Sequence, residues 1–247
     1  MNLIGLIVIR EGSARRWRVA RRQLRREGWL SVLDVLAFRV YSAIVLARRD
    51  GHWKERALMR LRARFRADLS RVRRVVVSDP NSLEARAFLS ELKPDLLLAR
   101  CKFLLKPEVF NVPAKGTFVL HPGVCPEYRN AHGCFWALVN RDQARVGMTL
   151  LKIDEGVDTG PVYLQATCDI DEVRQSHTVI QYRVVLENLD AVGRMLRAIG
   201  EGQPVTPIDT TGRRSATWGQ PRLSDYLRWK WEARRSRRHA TRVPSLS

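Results

Sequence analysis

The chain opens on a short uninterrupted apolar run, "LIGLIVI" at residues 3–9, which predicts a buried strand. From about residue 11 to residue 74 there is no proline. Arginines alternate there with apolar residues at helical spacing, and Leu30, Leu33, Leu36 and Phe38 share the most apolar part. This stretch predicts two or three helices, with Gly28 and Gly51 as breaks. The pattern then changes. Residues 75–77 predict a strand, and "DPNS" at 79–82 a turn whose Ser82 caps a helix. Pro94 ends that helix, and residues 96–99 predict a second strand, completing a β-α-β unit. "GTFVLHP" at 116–122 predicts a third strand, and "VGMTLLKID" (146–154) and "GPVYLQATCDI" (160–170) two more, joined by the turn "EGVDTG". A helix over 178–199 gathers Tyr182, Val185, Leu189, Val192 and Leu196 on one face, with Gly200 past its end. A polar loop, a short helix near 223–235 and a basic tail follow.

Alternating strands and helices predict an α/β fold with an open, mostly parallel sheet, in which ligands sit beyond the carboxyl ends of the strands. His121 lies at such an end. The expected organisation is an α/β domain over 1–205, with an arginine-rich helical arm at 11–74, and a C-terminal extension over 206–247.

Charge changes this picture only at its edges. The net charge is +19, but residues 10–74 hold 20 basic against 6 acidic side chains and residues 222–247 hold 8 against 2. Everything between is close to neutral, so nucleic acid is not the expected partner of the central region. The four cysteines show no paired spacing and the N-terminus lacks a signal-peptide pattern, which predicts reduced thiols and a cytoplasmic protein. The most apolar stretch, 29–47, contains Asp34 and Arg39. No transmembrane segment is therefore expected, although a peripheral contact with an anionic membrane surface is compatible with that stretch.

The densest chemistry lies in "VLHPGVCPEYRNAHG" at 119–133. Zinc could use His121, Cys125, His132 and Cys134, but the spacing matches no usual ligand pair. A cysteine nucleophile would need Cys125 or Cys134 exposed and activated. A histidine–carboxylate pair would join His121 to an acid from elsewhere, most economically Asp158 in "EGVDTGP". The fourth reading makes His121 a satisfied turn residue.

Two motifs in order discriminate among these. "HPGVCPEYRNAHGCFWAL", followed some fifteen residues on by "VGMTLLKIDEGVDTGPVYLQ", resembles the formyltransferase family, which includes methionyl-tRNA, glycinamide ribonucleotide and sugar N-formyltransferases. His121, Pro126, Tyr128, Arg129, Trp136, Gly147, Thr149, Asp158, Gly160 and Pro161 carry the resemblance, which covers about residues 74–200. It implies a Rossmann-like fold, one-carbon biosynthetic chemistry and 10-formyltetrahydrofolate as donor. It also implies His121 and Asp158 as catalytic residues. Lys102, Phe103, Leu104, Leu105 and Asp154 would line the folate pocket, and Tyr128, Arg129 and His132 the acceptor side.

Two departures stand out. The family's catalytic asparagine, two residues before the histidine, is Val119 here, which leaves Asn130 as the nearest replacement amide unless Asn130 merely caps the following helix. The family's first strand and helix also have no counterpart. The resemblance therefore implies formyl transfer to an amine, with a phosphorylated or nucleotide-linked acceptor favoured by the arginine-rich arm. Transfer RNA is less expected, because the region after residue 199 is short for a second domain. A binding protein without turnover, or a hydrolase releasing formate, are the alternatives.

Overall fold

Strand β1 (Gly5–Ile9) pairs in parallel with β2 (Arg73–Val77) in a computed structural model that describes residues 2–10, 28–66 and 68–240. Between these strands runs one long helix, α1 (Gly28–Arg64), with a π-helical turn at Ser42–Leu46. The expected break at Gly51 is absent: the helix passes straight through it. Its neighbour Asp50 is buried and accepts a hydrogen bond from Ser176, so tertiary contacts outweigh glycine's low helix propensity. The part of the arginine-rich arm at 11–27, and the tail beyond 240, lie outside the described residues.

Ser82 caps α2 (Leu83–Leu92) by accepting from the Ala85 N–H, as its position before the apolar face predicts. Then come β3 (Leu96–Ala99), the single turn α3 (Pro107–Phe110), β4 (Gly116–His121), the two-residue β5 (Arg129–Asn130) and α4 (Gly133–Val139). Strands β6 (Gly147–Lys152) and β7 (Val162–Thr167) follow, then α5 (His177–Glu187), α6 (Leu189–Gly200), β8 (Thr217–Trp218) and α7 (Leu223–Ala240). The predicted single helix over 178–199 is two. Asn188 divides it by turning its side-chain amide onto the carbonyls of Val184 and Thr167, a local competition that asparagine wins readily.

The largest sheet has the order β3-β4-β6-β7, with β3–β4 parallel and the other two pairs antiparallel. β5 pairs in parallel with β8. The fold is thus α/β as expected, with parallel pairing on the N-terminal side of the sheet and a meander of β4, β6 and β7 on the other. Among the described residues no strand joins the β1–β2 pair to the four-stranded sheet.

The core lies against that larger sheet. α4 is buried along its whole length, Gly133 to Val139, and packs with Phe118, Leu120, Met148 and Leu150 from the strands. Phe38 and Leu46 of α1 and Tyr226 and Trp229 of α7 belong to the same cluster, so the C-terminal extension shares the main core. α1 is long and apolar enough to cross a membrane by length and composition. In the folded chain it lies along the body instead, through Val35, Phe38, Leu46 and Ala57, with Asp34 accepting from the backbone N–H of Ser224 at 3.1 Å.

Candidate active site

β4 delivers His121 to the end of the larger sheet, where the chain must turn at Pro122 and Gly123. Thr149 on the neighbouring β6 fixes that turn. Its hydroxyl donates to the Gly123 carbonyl at 2.8 Å and accepts from the Cys125 N–H at 3.0 Å. Gly123 and Gly133 then let two backbones cross: a Cβ on Gly133 would sit 2.7 Å from the Gly123 Cα and from the Tyr128 carbonyl oxygen. A Cβ on Gly123 would come within 2.8 Å of His121 Nε2. Only glycine allows the turn to close over the imidazole.

His121 is buried and has a partner on each ring nitrogen. Nε2 lies 2.8 Å from the Tyr128 carbonyl, and Nδ1 lies 3.4 Å from Asp158 Oδ2. A carbonyl only accepts, so Nε2 carries a hydrogen and donates it. The same Asp158 oxygen accepts from the backbone N–H of Asn130 at 2.8 Å. Sequence separation of 28 and 37 residues is closed by β6 and β7, which return the loop at 153–161 to the end of β4. Asp154 shapes this loop by accepting from Gly156 N–H and from the Thr159 hydroxyl, the latter at 2.7 Å. Gly160 has no room for a Cβ beside the Lys152 carbonyl.

Three non-glycine residues here occupy the left-handed region: Asn130 (φ 70°), His132 (φ 60°) and Asp158 (φ 52°). Such backbone costs about 1–3 kcal/mol per residue, and its concentration at one spot is a mark of functional sites. The Asn130 side-chain amide donates to the Trp218 carbonyl at 2.8 Å. It does not cap α4, whose N-cap is His132 with no side-chain cap bond. Val119 packs with Cys125, Leu151 and Val162 in a small apolar cluster, so the position where the resemblance led one to expect an amide is filled with hydrocarbon.

The remaining predicted residues divide. His132 joins the site: burial, then the neighbouring charges of Lys102, Arg39 and His121, push it down to about 4, so it is a neutral imidazole. Lys102 thus lies close enough to His132 to act on it electrostatically. Leu104 is exposed, and its carbonyl accepts from Asn81, whose side-chain oxygen in turn accepts from the Lys106 N–H, tying the 101–106 loop to the turn after β2. Phe103 and Leu105 are half-buried in this loop. Asp154 is committed to the loop that carries Asp158. Tyr128 offers the site only its carbonyl, because its ring stacks on Trp218 (centroids 5.6 Å apart, planes at 18°) and its hydroxyl donates to Asp142. Arg129 donates to the Val157 carbonyl at 3.1 Å and so buttresses the Asp158 loop.

Neither Cys125 nor Cys134 is an activated nucleophile. Both are buried; burial pushes the Cys134 thiol up to about 12 and Cys125 still higher. Among the described residues no cluster of three metal-ligating side chains occurs.

Sequence reasoning missed two contributors. Glu127 would be raised by burial, yet its bonds to Arg213 and the charge of Arg145 hold it below the usual range. Its carbonyl accepts from Trp218 Nε1, fixing β8 beside the site. Trp218 in turn stacks on Trp136 (5.1 Å, 24°), and Arg222 lies over the Trp136 ring at 5.9 Å. These residues, with Gln220, line a groove of about 420 Å³. The tryptophan at 218 had no periodic signal to expose it.

A family model described as formyl transferase matches residues 49–195. The chain is 39% identical over 93 residues to a methionyl-tRNA formyltransferase of Dehalococcoides mccartyi, which covers 36% of this chain and 30% of that one. A methionyl-tRNA formyltransferase of Bacteroides fragilis is 31% identical over 169 residues, covering 60% of this chain and 52% of the relative. The chain thus spans between about a third and a half of these curated relatives. In fold it is similar to a Mycobacterium tuberculosis protein, with a TM-score of 0.50, 19% identity, and coverage of 72% of this chain and 81% of that one.

Proposed function

Because the chain belongs to the formyl transferase family, we propose that it moves a formyl group from 10-formyltetrahydrofolate to an amine, using Asp158 and His121. The observation that carries this reading is the connected set of Asp158, His121 and the Tyr128 carbonyl at 3.4 and 2.8 Å, on the two motifs the resemblance singled out. In the transfer the amine nitrogen bonds to the formyl carbon and the bond from that carbon to the folate nitrogen breaks. One proton leaves the amine, and one reaches the folate nitrogen.

The geometry favours a division of labour between the two residues. His121 is buried with both ring nitrogens engaged, whereas Asp158 is the more exposed of the two. Asp158 is then the group that meets the amine and takes its proton, and His121 holds it in place from behind. The Asn130 amide, steadied by the Trp218 carbonyl, supplies the donor to the formyl oxygen that Val119 lacks.

The acceptor we infer is an amine on a phosphorylated or nucleotide-linked small molecule. Its support is the groove beside Asn130, where Trp136 and Trp218 form an aromatic wall and Arg222 suits a phosphate. A second reading, binding without turnover, is favoured by Val119 alone. Incubating the chain with 10-formyltetrahydrofolate and candidate amines, and following tetrahydrofolate release, tests both. Amine-dependent release that Asp158→Asn abolishes supports transfer. Release without an amine would indicate a hydrolase, and no release with any amine would leave binding as the function.

A further inference from the structure

The outer face of α1 carries Trp29, Leu33, Leu36, Val40 and Ile44 at spacings of four, three, four and four, all exposed, with Ile44 at 76%. That spacing makes one stripe. The residues that dock the helix, Val35, Phe38 and Leu46, lie on the opposite side, and neither Asp34 nor Arg39 interrupts the stripe. Only 17% of the most apolar part of this helix is buried.

α7 runs beside α1 in the same direction. Ser224 bonds to Asp34, the Tyr226 ring lies 5.3 Å from Phe38 and 5.6 Å from Tyr41, and further along Arg49 acts electrostatically on Lys230. α7 also exposes an apolar pair at i, i+4, Leu227 and Trp231, with Arg235 over the Trp231 ring at 5.4 Å. At about 100° per residue, the exposed stripe on each helix lies roughly a quarter turn or more past the mutual contact, on the side away from the core. Both stripes therefore turn away from the core.

We propose that this two-helix face docks on an anionic membrane surface, lying along it without crossing. Charge selects that occupant. The whole positive excess of the chain falls in residues 10–74 and 222–247, the two segments that contain these helices, while the rest is close to neutral. Exposed arginines beside the stripes, Arg48 and Arg234 among them, would meet lipid phosphates, and tryptophans at both ends of the face suit the headgroup boundary. A second copy of the chain would set the same positive segments against each other. Docking of this face is independent of formyl transfer.

The test is co-sedimentation of the full chain with vesicles of phosphatidylcholine alone, and of phosphatidylcholine with phosphatidylglycerol in equal parts. The chain is expected to pellet with the anionic vesicles, to be released by high salt, and to stay in solution with the neutral ones. Leu33→Glu and Ile44→Glu, both on the exposed stripe, should each weaken partitioning by about tenfold or more, with circular dichroism confirming an unchanged fold. Three results would overturn the proposal: no binding to anionic vesicles, a dimer in sedimentation velocity that Leu33→Glu dissociates, or bound protein that resists high salt and yields only to detergent, which would make α1 a span.

Discussion

At the level of single residues, the site rests on a carboxylate held from two sides. Asp158 accepts from the Asn130 backbone and faces His121, and its left-handed backbone is one that asparagine tolerates well. Asp158→Asn should therefore keep the fold and remove the charge, lowering amine-dependent turnover by about 10²–10⁴-fold with little change in thermal midpoint. Val119 and Asn130 form a second test. With Asn130 as the amide donor, Asn130→Ala should cost about 10²–10³ in rate. Val119→Asn in that background should recover part of it, while Val119→Asn alone should change little; steady-state kinetics on the four proteins decides. His121 and Asp158 were legible because their motifs stand in order at a defined spacing. Which ring nitrogen meets the Tyr128 carbonyl was not, because that is set by two glycines crossing at 123 and 133.

Among elements, six of the eight described strands were readable to within about three residues, since apolar runs bounded by Pro, Gly and Asp leave little choice, whereas the two-residue β5 and β8 carry no run to read. The helices were harder. Gly51 predicted a break that packing overrides, and Asn188 made a break that the apolar face concealed. Both follow from partners distant in sequence or hidden in side-chain chemistry. Ser176 illustrates how much one such partner carries. It caps α5 by accepting from the Val179 N–H at 3.1 Å and donates to the buried carboxylate of Asp50, whose other oxygen has no partner. Ser176→Ala removes the cap and strips Asp50 of its bond, and should lower stability by about 2–4 kcal/mol. A urea titration that shows a loss below about 1 kcal/mol would contradict this account.

Over the whole molecule, acid should act through His177. Burial, then the neighbouring His132 and Lys230, push it down to about 3, and it sits among the rings of Phe38, Phe135 and Tyr226 with Nδ1 unpartnered. A histidine depressed in the folded state costs nothing above its unfolded value. Below about 6.5 the unfolded chain gains a proton that the folded chain refuses, at about 1.4 kcal/mol for each pH unit until the folded value is reached. Denaturant midpoints should therefore fall from about pH 6.5 to about pH 4.5, and His177→Phe should remove about half of that slope, the rest coming from His132, which is pushed down to about 4. The family and the α/β fold are legible in the chain's own residues, because two motifs suffice. The pairing of α1 with α7 is not, since residues 34 and 224 carry no mutual signal in one sequence. The separate β1–β2 pair has a kinetic meaning. Its partners, Gly5 and Arg73, close a long loop, and both strands are partly exposed, whereas Met148 and Leu150 on β6 are fully buried. Such a unit detaches before the rest melts. Amide hydrogens on Ile7 and Val75 should trade with deuterium through a low-energy partial opening, well ahead of those on β6, which wait for the chain to unfold altogether.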